Sequence, residues 1–191
     1  KDIRQFIDLT LEVTQHWDVK PILKGINPTP SYKKLDIIHS GTGWAMLATD
    51  RYYSDSAKSL AIIDGISYLI DVPSLAKISY AQKSLLNNNL LFYFNNGELS
   101  LSASRDSIHY DENTQKLLIS RIDIALQEVV ERINKQLENC LTYQEAILLY
   151  SKTIKSFNLS DQLKECFWHG HRIILEPCAK DVGEWAKIAL Y

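Results

Sequence analysis

The strongest constraint on the fold is a change of period part-way along the chain. From Leu35 to Ser120 the apolar residues come in short runs separated by turn-forming residues, the pattern of strands. After Ser120 they recur every three or four residues: Ile122, Leu126, Val129, Val130, Ile133 and Leu137 share one helical face. Strands grouped first and helices grouped later specify an α+β fold with a small, mainly antiparallel sheet and a helical C-terminal portion. The βαβ alternation of a parallel sheet is absent.

Within the strand-like part, "GWAMLATD" and "ISYLIDV" read as strands, and "AIIDG" ends on Asp-Gly, a favoured two-residue turn. "LLFYFNNGELSLSA" reads as a hairpin: Asn95-Asn96-Gly97 accept positive φ, and Leu99, Leu101 and Ala103 alternate with serines in the second arm. "SIHYDENTQKLLIS" repeats the pattern with a polar turn at 111–115, while "SLAKISYAQKSLL" suits a helix or a strand equally. Ser120 with Asp123, and Thr142 with Glu145, have capping-box spacing at the starts of two helices. The second helix carries Ala146, Ile147, Tyr150, Ile154 and Phe157 as its stripe. The tail reads as a helix at 160–168, a strand "RIILEP" and a last helix carrying Trp185.

Ahead of the strands, residues 2–17 form an amphipathic helix in which Ile3, Phe6, Ile7, Leu9, Val13 and Trp17 make a broad apolar face. The connector "VKPILKGINPTPSYKK", with three prolines and Gly25, interrupts regular structure. The expected organisation is therefore an N-terminal helix and Pro-containing connector over 1–34, a strand-rich region with a long helix over 35–139, and a helical C-terminal region over 140–191. The chain begins KDIRQFIDLT, without an initiator Met or a signal-peptide core, and is expected to be a fragment or a processed form.

Composition narrows the function classes. With 21 basic and 23 acidic residues, net charge −2, the chain is not built like a dedicated nucleic-acid binder, which neutralises phosphates with Lys and Arg. Cys140, Cys166 and Cys178 are too few and too irregular for a disulfide framework, so a reducing, cytoplasmic setting is expected. No apolar run reaches the ~20 residues that span a bilayer.

Three constellations have the right atoms for chemistry. Cys166, His169, His171 and Cys178 offer zinc-type ligands, but C-x2-H-x-H-x6-C is a poor spacing, with Cys178 beyond a proline. Two cysteines packed as small hydrophobes and two surface histidines describe the same residues. Asp50, Asp64 and Asp71, with Glu98, supply carboxylates that at strand ends hold Mg²⁺ for nucleic-acid processing, the alternative enzymatic reading. Each also suits a turn, since Asp64 precedes Gly and Asp71 precedes Val-Pro. Neither a nucleophile elbow nor a phosphate-binding loop is present, because "HSGTG" and "GTGW" lack the required continuation. The aromatics Trp44, Tyr52, Tyr53, Tyr68 and Tyr80 suit a stacking surface, but aromatics in strands more often pack a core.

The stretch "SGTGWAMLATDRYYSDSAKSLAIIDGISYLIDVPSLAKISYA" resembles the front of a bacterial PH-like (GRAM-type) domain. Leu47, Thr49, Asp50, Arg51 and Tyr53 match that family's first strand and turn, and Pro73, Leu75 and Ile78 match a later segment. The resemblance covers about 40–139. It implies a PH-like sheet closed by a helix and a non-catalytic module that binds a protein, a peptide or a lipid headgroup, with Arg51, Tyr52, Tyr53 and Lys58 as contact residues. Lys33, Lys34, Arg51 and Lys58 stand among Asp36, Asp50 and Asp55, which disfavours a lipid headgroup and favours a protein partner. The expected role is that of a regulator, an effector fragment or an immunity-type inhibitor, with no cofactor.

Overall fold

The computed structural model describes residues 2–26, 31–48, 58–157 and 166–173. Among the described residues the fold is α+β: a five-stranded, mostly antiparallel sheet and four helices, the longer two following the sheet in sequence. The chain divides into two compact units, one of residues Lys1–Lys77 and Asn88–Arg121, the other of Ile78–Asn87 and Ile122–Tyr191. Among the described residues, no helix is long and apolar enough to cross a membrane.

The first unit begins with α1 (Asp2–Val13) and contains β1 (Ile37–Gly41), β2 (Trp44–Leu47), β3 (Leu60–Ile63), β4 (Ile66–Leu69) and β5 (Leu90–Phe94) in the order β1-β2-β5-β3-β4. All neighbours are antiparallel except β3 and β5, which run parallel with Leu60 opposite Leu91 and Ile63 opposite Phe94. Parallel neighbours need a long crossover, and the segment from β4 to β5 supplies it. Trp44, Phe92, Ala61 and Tyr68 line up across four strands and are all buried. On the opposite face Ala45, Ile62 and Leu91 form a second cluster, with Leu47 and Leu60 packed against it. Burial on both faces is why β2, β3 and β5 read as unbroken apolar runs rather than alternating ones.

The expected hairpin after β5 does not form. Gly97 turns the chain with φ +84, but both edges of β5 are already taken, by β2 and β3. The second arm instead folds on itself, with Leu101 bridging Ile108 and the Ser102 amide donating to Ser107 O at 2.9 Å. The long helix likewise starts earlier than the spacing at Ser120 suggested: α3 spans Glu112–Leu137. The polar run at 111–115 is its first turn, not a hairpin turn. Asp111 caps it, accepting the Thr114 amide at 2.7 Å, while the Thr114 hydroxyl accepts the Ser100 amide at 3.0 Å.

The second unit holds α2 (Tyr80–Leu86), the continuation of α3 from Ile122, and α4 (Tyr143–Ser156). Ser79 and Gln82 form a full capping box at α2, which settles "SLAKISYAQKSLL" as a helix start. Thr142 accepts the Glu145 amide at 3.2 Å, as its spacing suggested. The stripes of α3 (Ile122, Val129, Ile133, Leu137) and α4 (Ala146, Tyr150, Ile154) are buried. Phe167–Trp168 (β6) and His171–Arg172 (β7) make a tight two-stranded hairpin, so the end of the helix expected at 160–168 is a strand. The Trp168 indole donates to Cys140 O at 3.0 Å, and Asn134 Oδ1 accepts the Phe167 amide at 2.9 Å. The expected last helix with Trp185 lies outside the described residues.

Candidate interaction face

The apolar positions of α1 occupy about half of its circumference, wider than the ~100° stripe that one packing contact needs. The structure divides that arc in two. Ile7 and Thr14, one heptad apart, are buried and hold the helix down. The Thr14 hydroxyl donates to Thr10 O at 2.6 Å and lies 2.8 Å from the Tyr32 hydroxyl, itself 3.3 Å from Pro21 O. Gln15 Nε2 donates to Lys33 O at 2.7 Å, and Lys20 Nζ sits 5.3 Å over the Tyr32 ring. Tyr32 and Lys33 thus turn back onto the end of α1, and Lys20 and Pro21 pack on Tyr32 from the other side of residues 27–30, which lie outside the described residues.

A second anchor lies where the chain leaves α1. Gly65, in the β3–β4 turn with φ +78, lets the backbone at His16 and Trp17 approach closely. A Cβ there would stand 3.1 Å from His16 O and 3.0 Å from Trp17 Cδ1. His16 is half-buried, and its imidazole is held below the ordinary range by desolvation first and by the Lys20 charge second.

The other half of the arc faces water. Ile3 is 72% exposed, Phe6 66%, Leu9 52% and Val13 48%. Val19 and Ile22, just beyond, are exposed as well. A contiguous apolar surface of this kind marks a site of association, whereas single exposed hydrophobics are ordinary. Composition showed the whole arc as apolar and suggested one face. The signal for two was the arc's width, together with Thr14 standing at an inward position where only a satisfied hydroxyl is tolerated.

Among the described residues, those singled out for chemistry are not brought together. Asp64 forms the β3–β4 turn with φ 49, as its Asp-Gly sequence implies. Asp71 precedes a short 3₁₀ turn, accepting the Ser74 hydroxyl, while its own amide donates to the Tyr110 hydroxyl at 2.6 Å. Burial raises the Tyr110 phenol above its ordinary range. Glu98 accepts the Asn95 amide within the turn after β5. Among the described residues, no three His, Cys, Asp or Glu side chains come together in a metal-binding group. Cys166 is buried, and His169 (φ 45) sits with Gly170 (φ 81) in the turn of the β6–β7 hairpin rather than on a strand beside His171. The Trp168 ring packs edge-on to His169 with centroids 4.7 Å apart. Lys58 is exposed just before β3, whereas Asp50, Arg51, Tyr52, Tyr53 and Cys178 lie outside the described residues.

The loop before α3 gathers hydroxyls around carboxylates. Asp106 accepts from Ser102 at 2.8 Å, Ser104 at 2.7 Å and Ser107 at 3.1 Å. Those donors hold its carboxyl below the ordinary range, the Ser104 bond most, and Asp111 is lowered likewise by Ser100 and the Thr114 amide. Every one of these bonds closes within the loop or caps α3, so the cluster serves local structure. Searches against family models, curated protein sequences and solved structures find no match to this chain.

Proposed function

We propose that this chain is a non-catalytic protein-interaction module and that the outer face of α1 is its contact surface. One observation carries the reading: Ile3, Phe6, Leu9 and Val13 stand exposed side by side on a helix that is fixed from behind. A mobile apolar tail would have to be ordered on binding, at the cost of conformational entropy. A helix held by the Thr14–Tyr32 contact and the Gly65 approach presents its surface already ordered. The resemblance of 40–139 to bacterial PH-like domains supports the same kind of role, since such domains bind ligands or partners and rarely catalyse.

The test is quantitative affinity capture with the natural chain and with a Phe6→Asp/Val13→Asp double variant as baits. Proteins retained by the first and lost by the second support the reading. A captured set unchanged by the double substitution removes α1 from the function.

A further inference from the structure

We propose that the guanidinium of Arg121 is a binding site for a single carboxylate group. Arg121 belongs to the first unit and is half-buried, with its Cζ 5.3 Å from the centre of the Phe94 ring at the end of β5. Phe94 is itself buried, and pairing with Ile63 on β3 sets its position. The side chain also lies along Gly43 in the β1–β2 turn. A Cβ on that glycine would collide with Nη1 and would stand 3.1 Å from Cζ and 3.5 Å from Cδ. An aromatic ring and a stretch of backbone without a side chain therefore place the planar head of Arg121.

What this place lacks is an acceptor. A guanidinium carries five N–H donors, and the Phe94 ring attracts the charge without satisfying them. Among the described residues, none accepts a hydrogen bond from Arg121 or pairs with its charge. The positions three and four away on α3, where a helical arginine commonly meets a Glu or Asp, are Leu117, Leu118, Ile124 and Ala125. Asp123 is near in sequence, but its Oδ1 accepts from Gln82 Nε2 at 2.5 Å. Two parallel N–H groups of a guanidinium match the two oxygens of a carboxylate, a charge-assisted pair roughly twice as strong as a neutral one. Phosphate groups are instead read by clusters of cations. The segments around these contacts, 41–43, 94–95 and 117–125, hold one Lys or Arg, which is Arg121. One positive charge balances one carboxylate, and that decides between the two anions.

The test is an NMR titration of the natural chain with sodium acetate at about pH 6.5, where acetate is ionised. Sodium chloride makes up a constant ionic strength, so that general screening does not change. The Arg121 Nε–H and the Gly43 amide should shift together and saturate with a Kd of roughly 10–50 mM, the strength of one charge-assisted contact. The Nε–H groups of Arg4, Arg105 and Arg172, all exposed, serve as internal controls and should drift without saturating. Arg121→Lys keeps the charge but loses the fork, and should weaken the acetate response at Gly43 at least roughly fivefold. A parallel titration with N-acetyl-Ala-Glu-Ala-amide separates the sources of the group. Tighter binding than acetate supports a carboxylate carried on a polypeptide, and weaker binding supports a small free acid. Three results overturn the proposal: an Arg121 response no larger than that of the control arginines, an acetate response at Gly43 unchanged by Arg121→Lys, or sulfate saturating Arg121 at a lower concentration than acetate.

Discussion

Replacing Phe92 and Phe6 by Ala, one at a time, sets the buried sheet against the exposed helix face. Phe92 lies at 0% exposure on β5, with Trp44 opposite it on β2 and Ala61 opposite it on β3. Removing the ring leaves a cavity that fixed strands cannot close, so the expected loss is about 3–5 kcal/mol. Phe6 keeps two-thirds of its surface in water, so at most a third of its area, roughly 60 Å², is withdrawn on folding. At ~25 cal/mol per Å² that is about 1.5 kcal/mol, and the better helix propensity of Ala returns ~0.5. The net cost at Phe6 is therefore about 1 kcal/mol or less. Urea unfolding followed by far-ultraviolet circular dichroism measures both, and it should be run on dilute protein so that no contact between chains adds to the stability. A Phe6→Ala loss of ~3 kcal/mol or more in dilute protein would show that α1 packs its outer face within the monomer. The interaction face would then be refuted.

Other perturbations probe the backbone and the titrating groups. Gly43, between β1 and β2, has φ +73 beside the Arg121 guanidinium; Gly43→Ala should cost about 1–2 kcal/mol in urea unfolding. Arg121→Ala should not restore that loss, because the side chain can swing aside and the backbone cannot. His16 has a lowered pKa in the folded chain, so the unfolded chain binds the proton more readily. Its contribution is whole above the unfolded value of about 6.5 and is lost as pH falls towards the folded value. An NMR titration should find the His16 midpoint below the ordinary value, and Lys20→Ala should move it partway back. Asp111 is lowered too, so its contribution is present above the unfolded carboxylate range and fades as pH falls through the folded value. Thermal melts of Asp111→Asn should lose part of the acid-side decline of the natural chain.

The architecture was legible wherever local pattern and tertiary demand agreed. The buried stripes of α3 and α4 and the Asp64-Gly65 turn all stand where periodicity and turn chemistry put them. It failed where a local preference was outbid by a neighbour. Asn95-Gly97 is sound hairpin sequence, yet β5 already has β2 on one edge and β3 on the other, and no local signal announces a parallel pairing between residues as far apart in sequence as Ile63 and Phe94. At 111–115 the sequence Asp-Glu-Asn-Thr suits a turn and a helix cap alike, and the hydrogen bonds with Ser100 decide for the cap.

The interaction face was half legible for a related reason. Hydrophobic periodicity reports that a side chain avoids water, and a core and a partner satisfy it equally. Ile3, Phe6 and Val13 therefore looked the same in sequence as Ile7, although only Ile7 is buried by its own chain. What separates them is Thr14. A hydroxyl at an inward position requires a fixed acceptor or donor, and Tyr32 of the connector provides the contact. That contact fixes which edge of α1 belongs to the fold. The remaining apolar edge, Ile3, Phe6, Leu9 and Val13, is then surplus to the monomer, and contiguous exposed apolar surface on a monomer is often functional. Thr14→Val tests the step directly: it should loosen the connector, seen as faster amide exchange at Tyr32 and Lys33, while Phe6 stays exposed. If instead Phe6 became protected, the helix would be free to roll, and its outer face would be a consequence of one hydrogen bond rather than a surface kept for a partner.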